Sequence, residues 1–149
     1  MDKLAGVEVD FKVTFEKQVA RAQRLRTEPW KNRKILLKAF GEFVMQNRQR
    51  IQAALKADLG KSETETDISE VFPVITEIKE AVRHLGDWVG PESIEAPLTY
   101  LGTTSEIQYE PKGVCLILGP WNYPFNLTIG PLISCLAAGN TAIIKPSEL

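Results

Sequence analysis

A chain of 149 residues, 44% hydrophobic and 25% charged, has the composition of a soluble globular protein and the length of one domain, or one domain plus part of another. Its formal charge of -1 excludes an electrostatic case for nucleic acid or an anionic membrane as partner. Two cysteines, Cys115 and Cys135, both in apolar runs and neither in a CxxC pair, exclude a disulfide framework and a zinc site and suit a reducing compartment.

No apolar h-region follows Met1, and no apolar run approaches the ~20 residues that span a bilayer. The expectation is a cytoplasmic protein, with any anchor beyond Leu149 out of view. Basic residues between Arg21 and Arg50 lie at helical spacing among apolar and acidic ones, the pattern of a solvated helix face.

The first half reads as helices. From Val9 to Arg26 the residues Phe11, Phe15, Val19, Ala22 and Leu25 form an amphipathic stripe. Thr27-Glu28-Pro29 is a break and restart, with Thr27 or Glu28 as N-cap and Pro29 near the first turn. The second helix, to Gln46, is expected to bury Trp30, Ile35, Leu36, Ala39, Phe40 and Phe43. A third begins at Asn47, with Ile51, Ala54 and Leu55 inward, and ends at Leu59-Gly60 in a left-handed cap. A long fourth helix spans Thr66 to Val89, with Ile68, Val71, Ile75, Ile78, Val82, Leu85 and Trp88 on one stripe; Pro73 predicts a kink or a late start. Trp30, Trp88 and the helically spaced phenylalanines read as core, and His84, the only histidine, as a surface or packing residue.

Beyond Gly90-Pro91 the character changes. Leu98 to Glu110 is β-leaning and polar, an extended segment or exposed hairpin. Val114–Leu118 and Thr141–Lys145 are short apolar runs that suit strands of a parallel sheet buried on both faces. A nearly uncharged helical stretch from Phe125 to Ala138 lies between them, which makes one βαβ unit of an α/β fold. A lone βαβ unit leaves its apolar strand edges unpaired. The sequence is therefore expected to be the N-terminal portion of a longer one, inactive alone and prone to associate.

The chemistry-bearing segment is Leu118-Gly119-Pro120-Trp121-Asn122-Tyr123-Pro124-Phe125, at the carboxyl end of the first of these strands, where open α/β sheets bind ligands. Prolines on either side of Asn122 restrict its backbone, and its carboxamide offers two donors. Two readings stay open from spacing alone: a donor aimed at a developing oxyanion, or a side chain that satisfies backbone groups of a turn. Cys115 and Cys135 read as small buried residues and not as nucleophiles, having no base or cation nearby in sequence.

Gly119-Pro120-Trp121-Asn122-Tyr123-Pro124-Phe125, with Pro131-Leu132, Ala137-Ala138-Gly139-Asn140 and Lys145-Pro146-Ser147-Glu148, resembles the cofactor-domain signature of aldehyde dehydrogenases. Asp58-Leu59-Gly60-Lys61-Ser62, the Glu70 helix, His84-Leu85 leading to Trp88, and Glu110-Pro111-Lys112-Gly113-Val114 resemble the class-three, fatty-aldehyde-like branch. The likeness runs in order from about Val13 onward. It implies oxidation of an aldehyde to a carboxylic acid through a cysteine thiohemiacetal, with NAD or NADP as cofactor and NAD favoured. Asn122 matches the oxyanion donor. Leu118, Gly119, Pro120 and Trp121 match the cofactor's path, and Lys145 and Glu148 match the residues at the adenosine ribose.

The resemblance further implies a helical part of the cofactor domain over 1–97, part of a β oligomerisation element over 98–110, and the start of a Rossmann-like sheet over 111–149. The complete protein is expected to be a homodimer whose nucleophilic cysteine, glutamate base and pyrophosphate-binding turn lie beyond Leu149. A stand-alone, non-catalytic interaction module is the rival from another class, and an acylating relative that uses coenzyme A is the rival within the enzymes.

Overall fold

The computed structural model describes residues 10–148, so the expected helix start at Val9 lies outside the described residues. Helix α1 is Phe11–Leu25, begun by Asp10, whose carboxylate accepts the N–H groups of Lys12 and Val13 at 2.9 and 3.2 Å. Helix α2 is Trp30–Gln46 and α3 is Arg48–Leu59. Neither Thr27 nor Glu28 caps α2. The Thr27 hydroxyl donates to the Arg24 carbonyl at 3.0 Å, Glu28 pairs with Arg21, and Pro29 takes the cap position. Helix α3 ends as expected at Gly60, whose φ of 69° is left-handed. Ser62 then caps the single turn α4, Glu63–Thr66, by accepting the Glu65 N–H at 3.1 Å.

The expected long helix is found in pieces. Asp67–Val71 forms a π-turn, and α5, Phe72–Val89, follows without a break. Pro73 is the second residue of α5, directly after the π-turn, and the Ser69 carbonyl four residues before it accepts the Asn126 amide at 3.1 Å.

One cluster organises the interior: Leu37 and Val44 of α2, Val71 of the π-turn, the Val74-to-Leu85 stripe of α5, and Ile133 and Ala137 of α6 (Asn126–Ala137). Trp30 and Phe40 pack against it, but Ile35, Leu36, Ala39 and Phe43 are exposed, contrary to expectation. Ile68 and Trp88 of the fourth stripe are exposed too, as are Ala54 of α3 and Phe11 and Phe15 of α1. Runs such as Ile35-Leu36-Leu37 support more than one stripe, and contact with α5 and α6 selects the one through Leu37.

Strand β1, Glu92–Ile94, pairs antiparallel with β2, Ser105–Ile107, Glu92 opposite Ile107 and Ile94 opposite Ser105. Only the second strand of this hairpin falls in the Leu98–Glu110 segment expected to be extended or a hairpin; the first lies upstream, and Leu98–Tyr100 is a 3₁₀ turn. Strands β3, Val114–Leu118, and β4, Thr141–Lys145, pair parallel in register from Val114↔Thr141 to Leu118↔Lys145. Helix α6, Asn126–Ala137, is the crossover and contacts both strands, which gives the expected βαβ unit. The strands are not buried on both faces. Ile117 is buried, yet Leu116 and Leu118 are each 65% exposed. Alternate side chains of a strand point to opposite faces, and among the described residues nothing covers the second face at these two positions. No described helix is long and apolar enough to cross a membrane.

Candidate functional site

The loop from Gly119 to Phe125 carries the chain from the carboxyl end of β3 to α6. Gly119 extends the sheet ladder by donating its N–H to the Lys145 carbonyl at 2.9 Å. A Cβ at Gly119 would stand 2.1 Å from Thr128 Oγ1, so the bare backbone is what lets α6 close down on the strand end.

The middle of the loop is held from below by a buried ion pair. Lys61, just past the left-handed end of α3, and Glu70, in the π-turn, have side chains 9% and 0% exposed and meet at 2.5 Å. The Lys61 ammonium also donates to the Asn122 carbonyl at 2.8 Å and lies 4.1 Å from the centre of the Tyr123 ring. The second oxygen of Glu70 accepts the N–H groups of Phe125 and Asn126 at 3.1 and 2.8 Å. The Asn126 amide donates to the Ser69 carbonyl at 3.1 Å, a further tie between loop and π-turn. Every charge of the pair is thereby matched, which buried ions require; removing one partner of such a pair costs about 3–5 kcal/mol.

The π-turn is fixed on its other side by α3. Arg48 makes a two-pronged contact with the Asp67 carboxylate, and the buried Gln52 amide donates to it at 3.0 Å. The Arg48 guanidinium, and after it the Gln52 amide, hold the Asp67 carboxyl below the usual carboxylate range against the opposing effect of burial.

The Asn122 side chain is exposed while its main-chain carbonyl is clamped. Leu118 and Trp121 are exposed, Gly119 and Pro120 half-buried, all on the same strand end and loop. Lys145 ends β4 directly beside Leu118 in the sheet register. Its ammonium pairs with Glu148 at 2.8 Å on the surface, and that contact lowers the Glu148 carboxyl below its ordinary value. The β3–β4 pairing thus brings Leu118–Trp121 and Lys145 to one sheet end, with Glu148 joined to them through Lys145.

The Cys135 thiol is buried, donates weakly to the Thr141 carbonyl at 3.5 Å, and is pushed up to about 12, first by burial and then by its contact with Cys115. A thiol so held is no nucleophile. His84 stacks on Trp88 with ring centres 6.1 Å apart, between Glu80 and Asp87 of the same helix. Among the described residues no group of three His, Cys, Asp or Glu is placed to hold a metal ion. Lys61 and Glu70 are the residues of the site that motif reading left without a role. They are nine apart in sequence, and the α4 turn and the start of the π-turn between them bring the charges together.

The sequence profile described as "Aldehyde dehydrogenase family" matches residues 5–149. Aldehyde dehydrogenase family 3 member B1 of Bos taurus is 43% identical over 124 residues, which are 83% of this chain and 26% of that protein. Aldehyde dehydrogenase family 3 comG of Dictyostelium discoideum is 40% identical over 132 residues, 89% of this chain and 28% of that protein. Among solved structures, the substrate-bound state of Staphylococcus aureus AldH superposes with a TM-score of 0.90 at 37% identity, covering 95% of this chain and 31% of that one. The chain spans about a quarter to a third of the length of these relatives.

Proposed function

The chain belongs to the aldehyde dehydrogenase family, with its curated relatives in family 3, and from that premise we propose that the whole protein oxidises an aldehyde to a carboxylic acid with NAD or NADP. The observation that carries this reading is Asn122: its backbone is clamped through its own carbonyl, and its carboxamide is exposed beyond a parallel strand. A carboxamide held that way donates to a carbonyl oxygen as negative charge builds on it during nucleophilic attack. The attacking cysteine and the glutamate that activates water for thioester hydrolysis belong, in this reading, to the remainder of the whole protein. Cys135 is protonated and buried.

The sheet end fits a nicotinamide dinucleotide. Lys145 and Glu148 present a donor and an acceptor side by side on the surface, the set that a ribose diol matches. The exposed faces of Leu118 and Trp121, with the bare backbone of Gly119 between them, offer apolar surface and main chain to the same molecule. When bound, the cofactor supplies the hydride acceptor. Glu148 accepts from a free 2′-hydroxyl and repels a 2′-phosphate, which favours NAD.

The 149 residues alone are expected to show no turnover, since in this reading the nucleophile, the general base and the pyrophosphate turn belong to the remainder of the whole protein. The β1–β2 hairpin, with Ile94, Leu98, Leu101 and Ile107 exposed, is the surface we assign to subunit pairing in a homodimer of the whole protein, which we place in the cytoplasm.

The test is Asn122→Ala in the whole protein. The expected result is a kcat lowered about 10²–10³-fold with cofactor affinity unchanged. An undiminished kcat would refute the oxyanion assignment.

A further inference from the structure

We propose that Lys61 and Glu70 are positioning residues for the Asn122 carboxamide, acting through the main chain of the loop between β3 and α6. This inference rests on the reading of Asn122 given above. The contacts of the pair are confined to one short stretch: the Asn122 carbonyl at 2.8 Å, the Tyr123 ring, and the N–H groups of Phe125 and Asn126 at 3.1 and 2.8 Å. One ion pair therefore grips the loop on both sides of Pro124. The bond from Lys61 fixes the plane of the peptide that follows Asn122, and with it the direction in which the Asn122 Cα–Cβ bond leaves the loop.

Packing does not call for charges here. A buried pair is often replaced by apolar residues with no loss of stability, so what this pair adds is the set of directed contacts it makes to the loop. Apolar substitutes would fill the space under the loop but would leave the Asn122 carbonyl, the two N–H groups and the loop's aim unspecified. The π-turn is part of the same device. Glu70 and Val71 are consecutive, yet both are fully buried, Val71 in the core and Glu70 under the loop. π-turns recur at functional sites because they redirect a side chain within a continuous helix.

A misplacement of about 1 Å in a reacting group costs about 10²-fold in rate. The double variant Lys61→Met/Glu70→Gln in the whole protein leaves no unpaired buried charge, and the carboxamide oxygen it puts in place of the Glu70 carboxylate still accepts from the Phe125 and Asn126 N–H groups. We expect its kcat to fall about tenfold or more, with the KM for NAD within about twofold of the parent. In the Asn122→Ala background the same double variant is expected to add no further loss, since the group it positions is gone. Lys61→Arg keeps a cation between Glu70 and the Asn122 carbonyl and leaves no buried charge unpaired, so it should recover part of the lost kcat and show the same dependence on Asn122. It also decides the matter if the double variant fails to fold.

Equal losses in the two backgrounds, or an unchanged kcat in a parent that does respond to Asn122→Ala, would overturn the positioning role and leave the Asn122 reading intact. Full activity of Asn122→Ala itself would overturn both.

Discussion

A methyl group on Gly119 would stand 2.1 Å from the hydroxyl oxygen of Thr128, so the chain leaving β3 and the first turns of α6 meet with no space for a side chain. Gly119→Ala in the whole protein is expected to cost about 1–3 kcal/mol, the usual penalty for overpacking, and to weaken NAD binding by displacing the loop. Thr128→Ala removes the offending oxygen, so the double variant should regain most of the lost stability. Urea midpoints of the four proteins give the answer, and a Gly119→Ala variant as stable as its parent would contradict the packing described.

Cys135 supplies a chemical test. With its thiol pushed up to about 12, almost none is thiolate at pH 8, and native protein should resist iodoacetamide at this position until denaturant is added. The shift also has a sign for stability. The raised value means the contribution is intact below about 9, where the free thiol begins to ionise, and is lost as pH rises from there toward about 12. Peptide mapping after alkylation would count against the burial if Cys135 reacted as fast in native protein as in unfolded chain.

Asp67 acts at the other end of the pH range. Arg48 holds its carboxyl below the ordinary value, so the stabilisation is fully present above about 3.9 and fades as pH falls through the lowered native value. Asp67→Asn should therefore lower the denaturation midpoint at pH 7, and the gap to the parent should close below about pH 4. A gap that stays constant down to pH 2 would show that the carboxylate's charge is irrelevant to the contact.

For Glu148, the expected outcome concerns cofactor choice. One unit of repulsion at about 4 Å in water is about 1 kcal/mol, so Glu148→Thr should raise the use of NADP relative to NAD about fivefold. The ratio of kcat/KM for the two cofactors is the measurement. If the ratio stays put, Glu148 is not at the ribose.

The βαβ unit was readable from sequence because its two five-residue apolar runs, bounded by Gly and Pro and separated by an uncharged helix, suit two strands and a crossover. Gly60 was readable for a local reason as well, a glycine directly after a periodic helix. The inward faces of α2 and α5 were harder. Ile35-Leu36-Leu37 and Phe43-Val44 offer neighbouring apolar choices, and tertiary contact decided for Leu37 and Val44. The outward faces of Leu116 and Leu118 could not be read from an apolar run, because hydrophobicity reports a preference for burial and not the neighbours available. At the site, the motif placed Asn122, Lys145 and Glu148 near strand ends. The clamp beneath Asn122 left no mark in local sequence, since a Lys and a Glu nine residues apart form no recognised spacing on an α-helix.

The π-turn at Asp67–Val71 is an α-helix carrying one residue too many, and that gives the segment a property no single side chain has. Deleting one residue there would pull the turn toward ordinary α-helical winding, with a kink where Pro73 then falls inside the helix. Everything on its N-terminal side would then rotate by about 100° about the axis, while the stripe from Val74 to Leu85 stayed seated. Lys61 would swing off Glu70 and the Asn122 carbonyl, although no residue touching the loop had been changed. The aim of Asn122 is thus encoded partly as a count of residues, so a one-residue deletion in this helix is expected to do more harm than most substitutions along it.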